Sequence, residues 1–178
     1  MKTKQLITFC LILISGIMFS QTKAEKKAAK KEREMQEFNI LKSLIDSKIY
    51  TFEATWALTQ GGGRINLMTN PNFMTINNDD AKAELPYFGV VQIMTNYGGS
   101  GGITFEDPLT DYKVTYNEKK RNILVTFKAN NKTESFDVTL RASGTENASV
   151  NINSTNRNSI TYQGNLKLID NNTQQNTN

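Results

Sequence analysis

Residues 48–58 read KIYTFEATWAL, a segment in which hydrophobic and polar side chains alternate with a period of two. Such alternation is typical of a β-strand that buries one face. The pattern predicts a strand whose buried side holds Tyr50, Phe52, Ala54, Trp56 and Leu58. Three glycines at residues 61–63 follow and predict the turn of a hairpin, after which the alternation resumes at Ile65.

The same period recurs along the rest of the chain. Strand-like runs cover residues 65–69, 73–76, 103–105, 112–116, 123–127, 136–140, 150–152 and 160–168. Their short spacing is typical of an antiparallel meander, and too few helical segments are present to supply parallel crossovers. The pattern predicts a mainly β domain over residues 49–169, an antiparallel meander that forms a closed or partly open β-barrel. A two-layer β-sandwich is the alternative.

One helix is predicted ahead of the strands, over residues 21–48, because this segment is rich in Ala, Lys, Glu and Leu and contains no Gly or Pro. Its second half carries apolar residues three and four positions apart, a stripe formed by Met35, Phe38, Leu41, Leu44 and Ile45. We expect the stripe to cover a mouth or an open edge of the barrel. The basic first half should be solvated, and the polar tail, residues 170–178, is predicted to be disordered.

Residues 1–20 have the organisation of a secretory signal peptide. Lys2 and Lys4 precede an apolar run over residues 6–19, which is short for a membrane span, and the small residue Ser20 precedes the expected cleavage position. We therefore expect export to the periplasm or the exterior of a Gram-negative type of envelope. No transmembrane span is expected once the signal is removed. An uncleaved membrane anchor is the alternative.

Cysteine content and charge limit the chemistry further. The only cysteine, Cys10, lies in the apolar run after Phe9 rather than after the small residue that a lipoprotein signal needs. The mature chain would then be cysteine-free, without disulfides or thiol chemistry. The formal net charge of +4 includes Lys2 and Lys4, and the main body is close to neutral. We therefore expect no nucleic-acid partner.

Two motifs resemble one family of exported bacterial envelope proteins. They are LPYFG at residues 85–89 and YGGSGGI at residues 97–103, and the likeness continues at Asn156, Arg157 and residues 160–164. This pattern resembles the domain of unknown function family 4251 over most of residues 38–168. The resemblance implies a periplasmic or envelope β-rich domain, and it brings no catalytic residues and no assigned activity.

Candidate ligand-binding residues come from these motifs and from the first strand. Pro86 and Gly89 predict a sharp turn that presents Tyr87 and Phe88, although aromatic side chains at such a turn can also serve as a plug of the core. The complete set of candidates is Tyr87, Phe88, Tyr97, Ser100 and Trp56.

Catalytic chemistry finds little support in the residue types. Residues 98–102 spell GxSxG, the pattern of a serine nucleophile, yet the chain has no histidine to remove the serine proton. Without histidine or a mature cysteine, zinc would need carboxylates alone, so we expect no metal and no other cofactor. A hydrolase that uses only carboxylates is the catalytic alternative, and its candidates are Glu53, Glu106, Asp107 and Asp111.

The sequence therefore predicts a non-enzymatic binding domain in the periplasm or envelope. Its ligand would be an apolar or amphipathic molecule or a protein partner. The sequence does not distinguish between a lipid, a peptide and an envelope protein. A structural or assembly factor that pairs an exposed strand edge with another envelope protein is a further alternative.

Overall fold

The computed structural model describes residues 23–68, 72–89 and 101–169. The chain divides into two compact units, Met1–Met35 and Gln36–Asn178. In the first unit the described residues form an exposed stretch of helix, with an ion pair of 3.9 Å between Lys30 Nζ and Glu34 Oε1. Because both groups are largely exposed, this pair adds only about 0.3 kcal/mol of stability.

Within the described residues the chain forms one helix and ten strands. The helix, α1, is Lys23–Asp46, and its second half belongs to the second unit. The strands are β1 Ile49–Leu58, β2 Arg64–Asn66, β3 Phe73–Asn77, β4 Asp80–Leu85, β5 Ile103–Pro108, β6 Thr110–Asn117, β7 Asn122–Asn130, β8 Ser135–Gly144, β9 Asn147–Ser154 and β10 Ile160–Leu168.

The strands pair into a single antiparallel sheet. Its order is β5-β4-β3-β1-β10-β9-β8-β7-β6, and β2 pairs with β1 off this path. The two end strands, β5 and β6, are consecutive in the chain and only Leu109 separates them. The sheet therefore curls until its ends approach each other, and it forms a nearly closed barrel with one unsealed seam. The predicted mainly β, antiparallel, partly open barrel is confirmed, and the fold is not the two-layer sandwich.

The barrel interior is packed with apolar side chains. The long strands bury every second residue, and the largest fully buried side chains include Tyr50, Phe52, Met74, Phe136 and Tyr162. Each large apolar side chain removed from water contributes roughly 1.5–3 kcal/mol to folding. The inward-facing side chains therefore supply most of the driving force for closing the sheet.

The second half of α1 packs against this core and against the end strand β6. Phe38, Leu41 and Ile45 are buried at spacings of three and four residues, as the predicted stripe requires. Met35 is 43 % exposed, so the buried part of the stripe begins at Phe38. On β6, Tyr116 donates its hydroxyl hydrogen to the Asp46 carboxylate. The helix therefore covers part of one edge strand.

The helix ends where the backbone leaves the right-handed region. Lys48 has a φ of 52°, a left-handed conformation that commonly closes a helix. Its amide donates to the carbonyl of Ile45 at 3.1 Å, and the Ser47 hydroxyl donates to the carbonyl of Leu44 at 2.7 Å. These bonds satisfy carbonyls that the last turn would leave without partners.

The alternation predicted for residues 48–58 is correct as far as Ala54 and wrong beyond it. Between Ala54 and Trp56 the register of β1 against β10 shifts by one residue, so Thr55 is an extra residue. Such a β-bulge exchanges the two faces of the strand. Ala57 is consequently buried, whereas Trp56 and Leu58 are only partly buried and do not share the side of Tyr50.

Gly164 on β10 lies opposite Ala54, next to this bulge. A Cβ atom at this position would lie 1.9 Å from the carbonyl oxygen of Glu53. Because that neighbour is backbone, it could move only by separating the two strands. Glycine is therefore required here by the close approach of β1 and β10.

Several predictions fall on parts of the chain that lie outside the described residues. The predicted signal peptide, residues 1–20, and the predicted disordered tail, residues 170–178, are among them. In the part of the chain that the structure describes, no helix combines the length and the apolar composition needed to cross a membrane.

Substitution of Gly164 by alanine should destabilise the protein strongly, since the added methyl group meets backbone. We expect the free energy of unfolding to fall by about 2 kcal/mol or more, measured by urea denaturation. Gly144→Ala is the matched control, because no heavy atom lies within 4 Å of its added Cβ. Equal stability of the two variants would contradict the close approach of β1 and β10.

Candidate functional site

The seam of the barrel carries a groove of about 780 Å³ on its outer surface. One wall comes from β4 and β5, and the other comes from the turn between β7 and β8. The polar lining includes Lys82, Glu84, Thr104, Glu106, Asn131 and Lys132. This volume is typical of ligand-binding clefts, and side chains of both charge signs line the groove.

One side of β5 is open to this groove. Among the described strands only β4 pairs with β5. The carbonyl of Thr104 accepts a hydrogen bond of 2.9 Å from Asn131 Nδ2, so the backbone of Thr104 faces the seam. In an antiparallel ladder, residues two positions apart face the same side, and Glu106 therefore faces the seam as well. Pro108 has the same orientation and presents only a carbonyl to the seam, because it lacks an N–H group.

Aromatic side chains bridge the seam on its inner side. The rings of Phe105 on β5 and Phe136 on β8 lie 5.4 Å apart between centroids at an angle of 39°. Both side chains are buried. Contact between these two rings therefore spans the seam, where the described strands are not joined by backbone hydrogen bonds. The groove is thereby confined to the outer surface.

Next to the seam, a buried ion pair joins the β7–β8 turn to the β9–β10 loop. Arg157 donates to both carboxylate oxygens of Glu134, with distances of 2.7 Å from Nε and 2.9 Å from Nη2. Ser154 donates its hydroxyl hydrogen to the same carboxylate. The side chain of Glu134 is 3 % exposed and that of Arg157 is 14 % exposed. A bidentate ion pair of this kind fixes the two loops relative to each other.

Arg157 also holds the chain where it enters β5. Its Nη1 donates to the carbonyl of Gly102 at 2.9 Å and to that of Gly101 at 3.3 Å. All three nitrogens of the guanidinium group therefore take part in hydrogen bonds. They join the β9–β10 loop, which carries Arg157, to the β7–β8 turn and to the residues just before β5. The start of the open strand β5 is consequently fixed by the same residue that neutralises Glu134.

The LPYFG segment packs beside this ion pair. Leu85 is buried, and the carbonyl of Pro86 accepts a hydrogen bond of 2.9 Å from the Tyr162 hydroxyl. Tyr87 donates to the carbonyl of Asn158 at 3.1 Å, and the Arg157 guanidinium lies 5.2 Å from the centre of the Tyr87 ring. Tyr87 and Phe88 are both partly buried against the core. These contacts show a packing role for both aromatic side chains.

Burial shifts the acidity of these tyrosines. Loss of hydration raises the pKa of Tyr87, although the Arg157 charge opposes the shift. Burial likewise raises the pKa of Tyr162, again against the Arg157 charge. Both hydroxyls therefore stay protonated and act as hydrogen-bond donors at neutral pH.

The five predicted site residues are not all brought together. Tyr87 and Phe88 lie beside the ion pair, whereas Trp56 lies on the outer face of β1, with the Arg64 guanidinium 4.2 Å from its ring centre. Tyr97 and Ser100 lie outside the described residues. Glu134 was not predicted as a site residue, and Arg157 was predicted only as part of the family resemblance.

A second polar cluster, which the sequence analysis also missed, lies where α1 meets β6. The hydroxyl oxygens of Tyr50 and Tyr112 are 3.3 Å apart, and Tyr116 donates to Asp46. Burial and the neighbouring Asp46 carboxylate raise the pKa of Tyr116 to about 12. Burial also raises the pKa values of Tyr50 and Tyr112. The three tyrosine hydroxyls therefore stay protonated, and the hydrogen bond from Tyr116 to Asp46 attaches the helix to the barrel.

Three of the four carboxylates considered for hydrolysis form ion pairs with lysines on neighbouring strands. Ion pairs join Glu53 to Lys167, Glu106 to Lys82 and Asp111 to Lys128. The Lys128 ammonium lowers the pKa of Asp111, mainly by hydrogen bonding to it. Glu106 and Asp107 both lie in strand β5, where adjacent side chains point to opposite faces. Among the described residues, no group of three or more His, Cys, Asp or Glu side chains could hold a metal ion.

These features define a class of protein, a nearly closed antiparallel barrel with a covering helix and loops fixed by a buried Arg–Glu pair. The model of a family described as a domain of unknown function, DUF4251, matches residues 32–166, and the chain belongs to this family. The family membership expected from the sequence is thus confirmed.

A solved structure shares this fold. The chain is similar to a DUF4251 family protein from Bacteroides eggerthii, known from a crystal structure, with 22 % sequence identity and a TM-score of 0.58. The match covers 74 % of this chain and 87 % of that chain, and it shows the fold alone. No curated protein matches the sequence.

Removal of one partner of the buried ion pair should cost far more stability than removal of an exposed one. Arg157→Leu leaves the Glu134 carboxylate buried without its counter-charge, and we expect a loss of about 3–5 kcal/mol in urea denaturation. Glu106→Gln, which breaks the exposed pair with Lys82, should cost less than about 1 kcal/mol. The double variant Glu134→Leu with Arg157→Leu should be more stable than Arg157→Leu alone. A single variant as stable as the wild type would contradict this account of the pair.

Proposed function

We propose that the protein is an exported binding domain of the cell envelope, without enzymatic activity, whose partner is a polypeptide segment that adds a strand to β5. The observation that carries this proposal is the open side of β5 along the seam groove. Unpaired backbone groups on an edge strand are a template for a further strand. A strand added here would form main-chain hydrogen bonds with Thr104 and Glu106.

The packing of the interior favours a partner that binds on the surface. Tyr50, Phe52 and Tyr162 are fully buried inside the barrel and occupy space that a lipid-carrying barrel would leave to its ligand. Most residues that line the seam groove are polar or charged, and the groove also exposes apolar surface, so it can hydrogen-bond to a peptide backbone and contact apolar side chains of the same peptide. Of the ligand classes that the sequence left open, a protein segment therefore fits best.

The open strand is also held in place before any partner arrives. Arg157 fixes the carbonyls of Gly101 and Gly102 just before β5, and the amide of Leu109 donates to the carbonyl of Asp79 at 2.6 Å just after it. A strand that is already ordered loses less conformational entropy on binding. This favours recognition at β5 even though the strand is short.

One internal contact competes with the partner. Asn131 Nδ2 donates to the carbonyl of Thr104, and its Oδ1 accepts from the amide of Thr133 at 3.0 Å. An incoming strand must replace the first of these bonds and can leave the second intact. Asn131 therefore protects the edge in the absence of a partner.

A peptide-display selection against the folded protein, followed by affinity measurements on variants, tests the β5 site. Asn131→Asp keeps the acceptor for Thr133 but removes the donor to Thr104, so selected peptides should bind it more tightly than the wild type. Glu106→Pro removes an outward N–H group and should weaken binding about tenfold or more, since one main-chain hydrogen bond is lost and the ring obstructs the partner. Glu106→Ala keeps the N–H group and is the matched control.

The outcomes of this selection separate the alternatives. Peptides that bind Glu106→Pro and Glu106→Ala equally well would overturn the β5 site. Circular dichroism of each variant must show the wild-type fold before affinities are compared. If natively purified protein carries a lipid and no selected peptide binds, the small-molecule hypothesis replaces this proposal.

Export rests on the sequence of residues 1–20 and needs its own experiment. Expression of the full chain in a Gram-negative host should give a periplasmic protein whose intact mass corresponds to a start at Gln21. Leu13→Arg interrupts the apolar run and should retain the full-length chain in the cytoplasm. Full-length wild-type protein in the membrane fraction would instead support an uncleaved anchor.

A further inference from the structure

The only tryptophan of the chain is turned to the outer surface by the bulge in β1. Strand alternation without the bulge would place Trp56 inside, on the side of Phe52. Two hydrogen bonds hold the extra residue, Thr55. Its hydroxyl donates to the carbonyl of Gln163 at 3.1 Å, and its carbonyl accepts from the amide of Leu67 at 3.0 Å. Bulges often occur where a strand redirects a side chain next to a functional site.

The bulge is secured on both sides of β1. On one side, Gly164 permits the close approach of β10. On the other side, the side chain of Asn72 donates to the carbonyls of Ala54 and Leu67. A large apolar residue is thus held away from the core by several specific contacts, which a core-packing role would not require.

Trp56 lies in a cleft of about 360 Å³ on the outer surface. Polar residues of the β8–β9 turn and of β10 complete the lining, and those that matter here are Glu146, Asn147, Gln163 and Asn165. The Arg64 guanidinium lies 4.2 Å from the centre of the indole ring. The cleft therefore combines one aromatic ring with amide groups and one residue of each charge sign.

We propose that this cleft binds a polyhydroxylated ring, a hexose unit of a glycan. The C–H face of such a ring packs on an aromatic side chain, and its hydroxyls both donate and accept hydrogen bonds. Amide side chains such as those of Gln163 and Asn147 also do both, so they match hydroxyls better than they match an apolar ligand. The charges of Arg64 and Glu146 balance, which favours a neutral sugar over a phosphate.

The size of the cleft agrees with this ligand. A volume of 360 Å³ lies at the small end of the range of about 300–1,000 Å³ for small-molecule sites, which suits a short part of a glycan. Arg64 is exposed and belongs to the three-residue strand β2, so its guanidinium can leave the indole ring when a sugar takes its place. This site is independent of the peptide site proposed at β5.

Because Trp56 is the only tryptophan, its fluorescence reports directly on the cleft. Titration of the purified protein with neutral hexose oligosaccharides of defined linkage, chosen from a glycan array, should give a saturable change in tryptophan emission. Gln163→Ala should weaken the binding measured by this fluorescence. Trp56→Ala, measured by calorimetry, should weaken it about tenfold or more, and Trp56→Phe should retain part of the affinity.

Two controls make the outcome decisive. Leu168→Ala removes an exposed apolar side chain elsewhere on β10 and should leave glycan binding unchanged. Peptide binding at β5 should be unaffected in Trp56→Ala, so failure of one site is distinguishable from failure of the other. Glycan binding that survives both Trp56→Ala and Gln163→Ala would overturn the proposal, as would the absence of any binding across the array.

Discussion

The whole structure depends on one constraint, which is that each strand of the sheet buries alternate side chains. A sheet with one apolar face must cover that face, and here it does so by curling around its own side chains. Closure stops where β5 passes directly into β6, because β5 pairs with β4 whereas β6 pairs with β7. Among the described strands, this topology leaves one side of β5 without a partner at the seam.

The contacts around the seam compensate for this missing pairing. Phe105 and Phe136 bridge the gap inside, Asn131 caps one carbonyl of β5, and the Arg157–Glu134 pair fixes the loops at one end of the seam. The second half of α1 contacts the C-terminal end of β6, where Tyr116 donates to Asp46 and Lys42 pairs with Glu118. The helix thereby holds one end of β6, while β5 keeps main-chain groups that face the groove. This difference is why the proposed partner is assigned to β5.

Much of the fold follows from the period of two in the sequence. Strands such as β7 and β8 have regular alternation of branched and aromatic residues, and their existence was predicted correctly. β4 was not predicted, because its inward residues Ala81 and Ala83 are small and give a weak hydrophobic signal. The positions of Trp56 and Leu58 were predicted wrongly, since a bulge depends on the opposite strand, where Gly164 allows the close approach.

The sites were less accessible to sequence reasoning than the fold. Glu134 and Arg157 are 23 residues apart, and only the pairing of β8 with β9 and of β9 with β10 brings them together. Tyr50 and Tyr112, 62 residues apart, meet for a similar reason. Tyr87 and Phe88 were singled out as members of the LPYFG segment, but the residues that surround them depend on tertiary contacts. Local sequence patterns predict strands well and predict contacts between distant loops poorly.

The central claim is that β5 has one open side, and amide hydrogen exchange resolved at single residues tests it most directly. Phe105 and Asp107 face β4 in the ladder, so their amides should exchange slowly, whereas the outward-facing amide of Glu106 should exchange much faster. Protection of Glu106 equal to that of Phe105 in the isolated protein would mean that the seam is already closed, and it would contradict the account.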